Sequence, residues 1–125
     1  ITCMMALYHP NSTKLITGSA DKTIRIWDLA TGDCEVLKHH TGSLKCLVEI
    51  DSTRFVSGSN DRQLCIWTYI GPSQNGSATY KATSVIERQE EENLHCMIPI
   101  IGNRLITGSN SSLLFVYRVD TCTYE

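Results

Sequence analysis

Leu15-Ile16-Thr17-Gly18-Ser19, Phe55-Val56-Ser57-Gly58-Ser59 and Leu105-Ile106-Thr107-Gly108-Ser109 are three copies of one pattern: two apolar residues, a hydroxyl, a glycine and a serine. Each is followed, after a short turn, by a second apolar run that ends in an aromatic: Ile24-Arg25-Ile26-Trp27, Leu64-Cys65-Ile66-Trp67 and Phe115-Val116-Tyr117. Thr17 and Ser57 are 40 residues apart, and Ser57 and Thr107 are 50 apart. A repeat of this period fixes the architecture before any single residue is interpreted, because one unit cannot bury its apolar faces alone and must stack on its neighbours. Repeat arrays bind more often than they catalyse, so function is to be sought on a surface rather than in a pocket.

Working outward, the apolar runs are short and alternate with a period of two, which predicts strands and no helices. Unit one reads as a run from Thr2 to Leu7, a break at 8–12, a second strand from Lys14 to Ser19, a tight turn at Ala20-Asp21-Lys22, a third strand from Thr23 to Asp28, and a fourth from Cys34 to Lys38. Unit two repeats the order with strands from Leu44 to Ile50, Arg54 to Ser59 and Gln63 to Thr68. Its fourth strand, near Lys81 to Glu87, is delayed by the turn-rich stretch 71–77, which accounts for the longer second period. Unit three offers Leu94 to Ile100, Arg104 to Ser109 and Leu113 to Val119, and ends as its fourth strand would begin. The units divide as 1–39, 40–89 and a degenerate, incomplete 90–125. Four short antiparallel strands per unit predict an all-β array of radially arranged sheets.

Composition narrows the function classes. The chain has 125 residues, 42% of them hydrophobic, and a formal charge of −2, with no stripe of Lys or Arg to serve as a nucleic-acid footprint. No apolar run is long enough to span a membrane. None of the six cysteines falls in a Cys-x-x-Cys pair. Cys3, Cys46 and Cys96 share one register in the first strand of each unit and read as small buried hydrophobes, which favours a reducing compartment, cytoplasmic or nuclear. Asn11-Ser-Thr, Asn75-Gly-Ser and Asn110-Ser-Ser fit the glycosylation acceptor pattern, but Ser- and Asn-rich turns generate it by chance. No spacing among His39, His40, His95 and the cysteines fits a zinc site, so neither metal nor cofactor is expected.

The units resemble WD-repeat β-propeller blades. The family's polar tetrad comprises a His in the loop leading into the blade, a Ser or Thr in the second strand, an Asp in the next turn and a Trp in the third strand. Unit two matches at His40, Ser57, Asp61 and Trp67. Unit one matches at Thr17, Asp21 and Trp27, with Trp27-Asp28 as the namesake dipeptide, and its His would precede residue 1. Unit three keeps Thr107, but Ser111, Tyr117 and Glu90 stand where Asp, Trp and His are expected, so it should be the loosest blade. Read without the resemblance, His40, Ser57 and Asp61 suggest a hydrolase triad. Within it, Ser57 lies under an indole, with neither nucleophile elbow nor oxyanion hole, and no catalysis is expected.

The resemblance further implies a segment of a larger ring, seven-bladed by analogy, with assembly of several copies as the second option. It implies a non-enzymatic scaffold that binds proteins or peptides on its narrower rim. Mapped by position, that rim offers Ile1, Gly42, Leu44, Glu92 and Leu94 from the incoming loops, and Ala20, Lys22, Asn60, Arg62, Asn110 and Ser112 from the turns. A ligand with apolar anchors and acidic groups near Lys22 and Arg62 would suit this set. The rivals are an RNA- or histone-binding propeller, which a basic rim would favour and the net charge does not, and a regulatory or substrate-recruiting domain of a larger enzyme.

Overall fold

The computed structural model describes residues 2–9, 12–29, 32, 34–51, 53–70, 80–88, 94–109, 114–120 and 123–124. Among them, twelve strands form three four-stranded antiparallel sheets. Sheet one runs β1 (Cys3–His9), β2 (Ser12–Gly18), β3 (Thr23–Asp28) and β4 (Cys34–Lys38) in sequence order. Sheet two follows with β5 (Leu44–Glu49), β6 (Arg54–Ser59), β7 (Gln63–Tyr69) and β8 (Tyr80–Glu87). Sheet three holds β9 (Leu94–Ile100), β10 (Arg104–Ser109), β11 (Leu114–Arg118) and β12 (Thr123–Tyr124). Each sheet is a meander, with strands consecutive in sequence paired as neighbours.

The structure departs from the sequence reading at two hairpins. β1 runs past Leu7 to His9, and β2 starts at Ser12 rather than Lys14, with Tyr8 paired to Thr13 and His9 to Ser12. Residues rich in ring and hydroxyl groups suit strands as well as turns, so the ladder persists almost to the tip. Unit three also begins its fourth strand: Tyr117 and Arg118 pair with Tyr124 and Thr123. The turn-rich stretch 71–77, predicted to delay the fourth strand of unit two, lies outside the described residues.

Two apolar clusters lie between the three sheets, one on each side of sheet two. Ile16, Ile24, Ile26 and Leu37 of sheet one meet Leu44, Leu47, Phe55 and Trp67 of sheet two. On its other face, sheet two sets Val56, Leu64, Ile66 and Ile86 against Leu94, Met97, Leu105 and Tyr117 of sheet three. The period-two alternation explains the division: Val56 and Ile66 pair across one row, Phe55 and Trp67 across the next, and adjacent rows point to opposite faces. Both interfaces therefore join a face of aliphatic residues to a face carrying the third-strand aromatic. One face of each kind has no neighbouring sheet among the described residues. Sheet one presents Met4, Val36 and the partly exposed Trp27, whereas sheet three presents Ile98 and Leu114.

The cysteine register resolves unequally. Cys46 is buried and Cys3 half-buried, but Cys96 is exposed, contrary to its reading as buried filler. Cys96 pairs with Gly108, which pairs in turn with Leu114, so its row lies on the uncovered face of sheet three.

Candidate functional site

The turns between second and third strands are built identically in sheets one and two. The Asp21 N–H donates to Ser19 Oγ at 3.2 Å, and the Thr23 N–H donates to Asp21 Oδ1 at 3.0 Å. In sheet two the Asp61 N–H donates to Ser59 Oγ at 3.2 Å, and the Gln63 N–H to Asp61 Oδ1 at 2.9 Å. The aspartate side chain takes the N–H two residues ahead and so closes the turn on itself. The residue that follows must then adopt the left-handed region: Lys22 has φ 76° and Arg62 has φ 69°. That conformation normally favours glycine.

In sheet two the turn is tied into a buried polar chain. The Trp67 Nε1–H donates to Ser57 Oγ at 2.9 Å. Ser57 Oγ lies 2.7 Å from His40 Nε2, and His40 Nδ1 lies 2.8 Å from Asp61 Oδ2. Asp61 Oδ2 also accepts the Thr41 N–H at 2.9 Å. A neutral ring satisfies every group: Nδ1–H donates to Asp61, and Nε2 accepts the Ser57 hydroxyl proton, a tautomer assigned from the network. Electrostatics agree. Burial disfavours the imidazolium more than the Asp61 carboxylate favours it, so the His40 pKa lies below its usual 6.5. Burial works against ionised Asp61, yet the N–H groups of Thr41 and Gln63 and the His40 ring together hold it below the ordinary carboxylate value. Around the indole, Phe55 stacks at 6.1 Å between ring centroids, and His39 meets it edge-on at 6.3 Å.

The Ser, His and Asp distances are those of a hydrolase triad, but the surroundings are not. Ser57 is 0% exposed, and its oxygen already accepts the indole N–H. No substrate carbonyl can reach it. The set holds a turn, a strand and an incoming loop together.

Sheet one retains part of this arrangement, with the Trp27 Nε1–H donating to Thr17 Oγ1 at 3.0 Å. Asp21 is exposed, and the Thr23 hydroxyl and N–H lower its pKa. In sheet three, Thr107 and Tyr117 are both buried, with Tyr117 opposite Leu105 just as Trp67 is opposite Phe55. Glu90 and Ser111 lie outside the described residues. Among the described residues, no group of three or more His, Cys, Asp or Glu could hold a metal ion.

The predicted rim splits. Ala20, Lys22 and Arg62 are exposed and Asn60 is partly so, all on equivalent turns. Gly42 lies flat on the neighbouring turn, where an added Cβ would stand 2.8 Å from the Asp61 nitrogen. Leu44 and Leu94 do not belong to the rim, because both are 0% exposed. Leu44 fills the space left by Gly18, and Leu94 the space left by Gly58. In sheets one and two the glycine of the second strand leaves a socket for the first leucine of the next sheet. Ile1, Glu92, Asn110 and Ser112 lie outside the described residues. The sequence reading overlooked Arg88, fully buried at the end of β8, whose Nη2–H donates to Ser59 O at 3.1 Å. An arginine beside an acidic run gave no signal of burial.

Three stacked meanders, each with a hydroxyl in its second strand beneath a third-strand aromatic, match a known pattern. The family described as "WD domain, G-beta repeat" matches residues 1–28 and 33–68, more than half of the chain. The chain belongs to this WD-repeat family. It is 50% identical over 34 residues to WD repeat-containing protein pop1 of Schizosaccharomyces pombe, covering 26% of this chain and 4% of that protein. It is 44% identical over 48 residues to mitogen-activated protein kinase kinase kinase A of Dictyostelium discoideum, covering 38% and 5%. Human WD repeat-containing protein 86 is 49% identical over 35 residues, covering 27% and 9%. The matched stretches span less than a tenth of each of these relatives. WD repeats generally mediate protein–protein interaction and are typically non-catalytic, although the kinase relative shows that they also occur within enzymes.

Proposed function

We propose that these WD repeats form part of a larger propeller and dock other proteins or peptides on the rim above the polar lock, with no chemistry of their own. The observation that carries this reading is the pair of exposed cations on equivalent turns one sheet apart, Lys22 and Arg62. The aspartate-closed turns hold both residues in the left-handed region, at roughly 1 kcal/mol each, and so project the two cations in the same way. The buried aspartate of sheet two keeps its turn rigid, so the cation is presented with little entropy left to lose on binding. An acidic segment with apolar anchors suits this set. The partners on either flank are the remaining blades, which would cover the open faces of sheets one and three. The free thiols Cys3, Cys34, Cys46, Cys65 and Cys96 suit a reducing compartment, cytosol or nucleus.

The test is the full-length protein carrying Lys22→Glu and Arg62→Glu together. Affinity purification with mass spectrometry should lose partners that the unaltered protein retains, at an unchanged melting temperature. Retention of every partner overturns the rim assignment. The match to a kinase supports a second reading, in which the same rim recruits substrates to an enzyme encoded elsewhere in the parent chain.

A further inference from the structure

On the rim of sheets one and two, the described carboxylates are used inside the protein and the cations are not. Asp61 Oδ2 accepts the His40 Nδ1–H and the Thr41 N–H, and its Oδ1 accepts the Gln63 N–H. Asp21 Oδ1 accepts both the N–H and the hydroxyl of Thr23. Glu87, opposite Gln63 at the end of β8, accepts the Gln63 Nε2–H at 2.9 Å. Lys22, Lys38 and Arg62 are exposed, and no side-chain hydrogen bond or ion pair engages them among the described residues. The opposite rim is built otherwise: Asp51 closes on Arg54, and Arg118 lies 3.5 Å from Asp120.

The three cations lie along one connection. Lys38 ends β4 opposite Thr23, so it stands beside the turn that carries Lys22. The chain then crosses to sheet two through 39–43. The Leu44 N–H donates to Ser19 O at 3.1 Å, and the Asn60 N–H donates to Ser43 O at 3.1 Å. Both turns are thus stitched to the same loop, with exposed His39 held edge-on against Trp67 between them. Cations gathered on a surface with no internal counter-charge attract an anionic partner. Stacked sheets lie about 10 Å apart, and an extended chain advances about 3.3 Å per residue. Carboxylates about three residues apart therefore reach both sides.

We infer that this strip takes an extended acidic segment of a partner protein, one carboxylate meeting Lys22 and Lys38 and the other Arg62. The strip extends the rim proposed above, on which it rests, by Lys38 and by a defined spacing of the ligand's acids. Its charge sits at two places rather than in a continuous run, which suits spaced carboxylates better than a phosphate backbone.

Fluorescence polarisation with the full-length protein at low salt provides the test. The labelled probes are Gly-Asp-Gly-Gly-Asp-Gly, its isomer Gly-Gly-Asp-Asp-Gly-Gly, and the neutral Gly-Asn-Gly-Gly-Asn-Gly. The spaced acidic probe should bind about two- to fivefold tighter than its isomer, the range of one exposed ion pair, and tightest of the three. Lys38→Gln and Arg62→Gln should each weaken it about two- to fivefold. Lys81→Gln, exposed at the far end of sheet two, should leave it unchanged. Equal affinity for the two acidic probes, or unchanged affinity in Lys38→Gln, overturns the strip. If the Lys22→Glu, Arg62→Glu protein still loses its partners in that case, the rim stands without the strip; if it keeps them, both fall. Tighter probe binding after Glu90→Gln, Glu91→Gln and Glu92→Gln together would put the chain's own acids in the partner's place. Binding of octauridylate above that of the spaced probe, with the same loss in Lys38→Gln, would make the strip a nucleic-acid surface. Either result overturns the assignment to a partner's acidic segment.

Discussion

Trp67 and His40 are joined through a single atom. Ser57 Oγ lies 2.9 Å from the indole nitrogen and 2.7 Å from the imidazole nitrogen, and the hydroxyl satisfies both. Ser57→Ala therefore leaves two buried polar groups without partners. At about 1–3 kcal/mol for each group, the substitution should destabilise by roughly 2–6 kcal/mol. Thr17→Ala in sheet one should cost less than about 1 kcal/mol, because Trp27 is partly exposed and water can replace the hydroxyl. Urea unfolding of both variants checks the ranking, and equal losses would refute it.

The same chain makes stability depend on pH in two stages. His40 titrates below 6.5 in the folded protein, so as pH falls the unfolded state takes up the proton first. Stability is then complete above about pH 6.5 and declines below it. Asp61 and Asp51 titrate below 3.8 when folded, so their contribution holds above that value and is lost as pH falls through their folded pKa values. Urea midpoints measured from pH 8 to pH 5 should fall in the unaltered protein. They should be flatter in His40→Gln, which keeps a polar side chain but cannot titrate. Parallel curves for the two proteins would show that His40 is not the group responsible.

Gly42 and Gly32 make a contrast. A Cβ at position 42 meets the Asp61 backbone nitrogen at 2.8 Å, whereas at position 32 nothing lies within 4 Å but φ is 79°. Gly42→Ala should cost about 1–3 kcal/mol by pushing the turn off its histidine. Gly32→Asn should be close to neutral, because asparagine tolerates the left-handed region. Thermal melts distinguish the two, and a neutral Gly42→Ala would mean that the turn can shift freely.

Thiol reactivity reports the stacking. Burial pushes the thiols of Cys46 and Cys65 up to about 12, with the Cys3 and Cys96 thiols adding to the effect at Cys46. Iodoacetamide at neutral pH should modify exposed Cys34 and spare Cys46 and Cys65 until denaturant is added. Peptide mass spectrometry reads the order directly. Modification of Cys65 in the native protein would contradict the packing between sheets one and two.

Strand identity was legible because alternation and turn chemistry agree locally: β3, β4, β6, β9 and β10 begin and end where the pattern does. The tetrad positions were legible through the family resemblance, whose hydroxyl, aspartate and tryptophan recur at the same offsets in units one and two. What escaped depends on the next sheet. Leu44 and Leu94 looked like rim residues because each opens a strand after a polar loop, yet each plugs a neighbouring sheet's glycine. Arg88 escaped because a cation's burial is decided by the Ser59 carbonyl it reaches, 29 positions away. Cys96 was misplaced in the opposite sense, since its burial requires a neighbour that the described residues do not include.

The two uncovered faces are unlike, one carrying Trp27 and the other Ile98 and Leu114. Growth from this wedge consequently has a direction. A mate that fits one flank cannot fit the other in the same way. An assembly that joins one flank to the unlike flank of the next unit is head-to-tail, and it must either close on itself or keep extending.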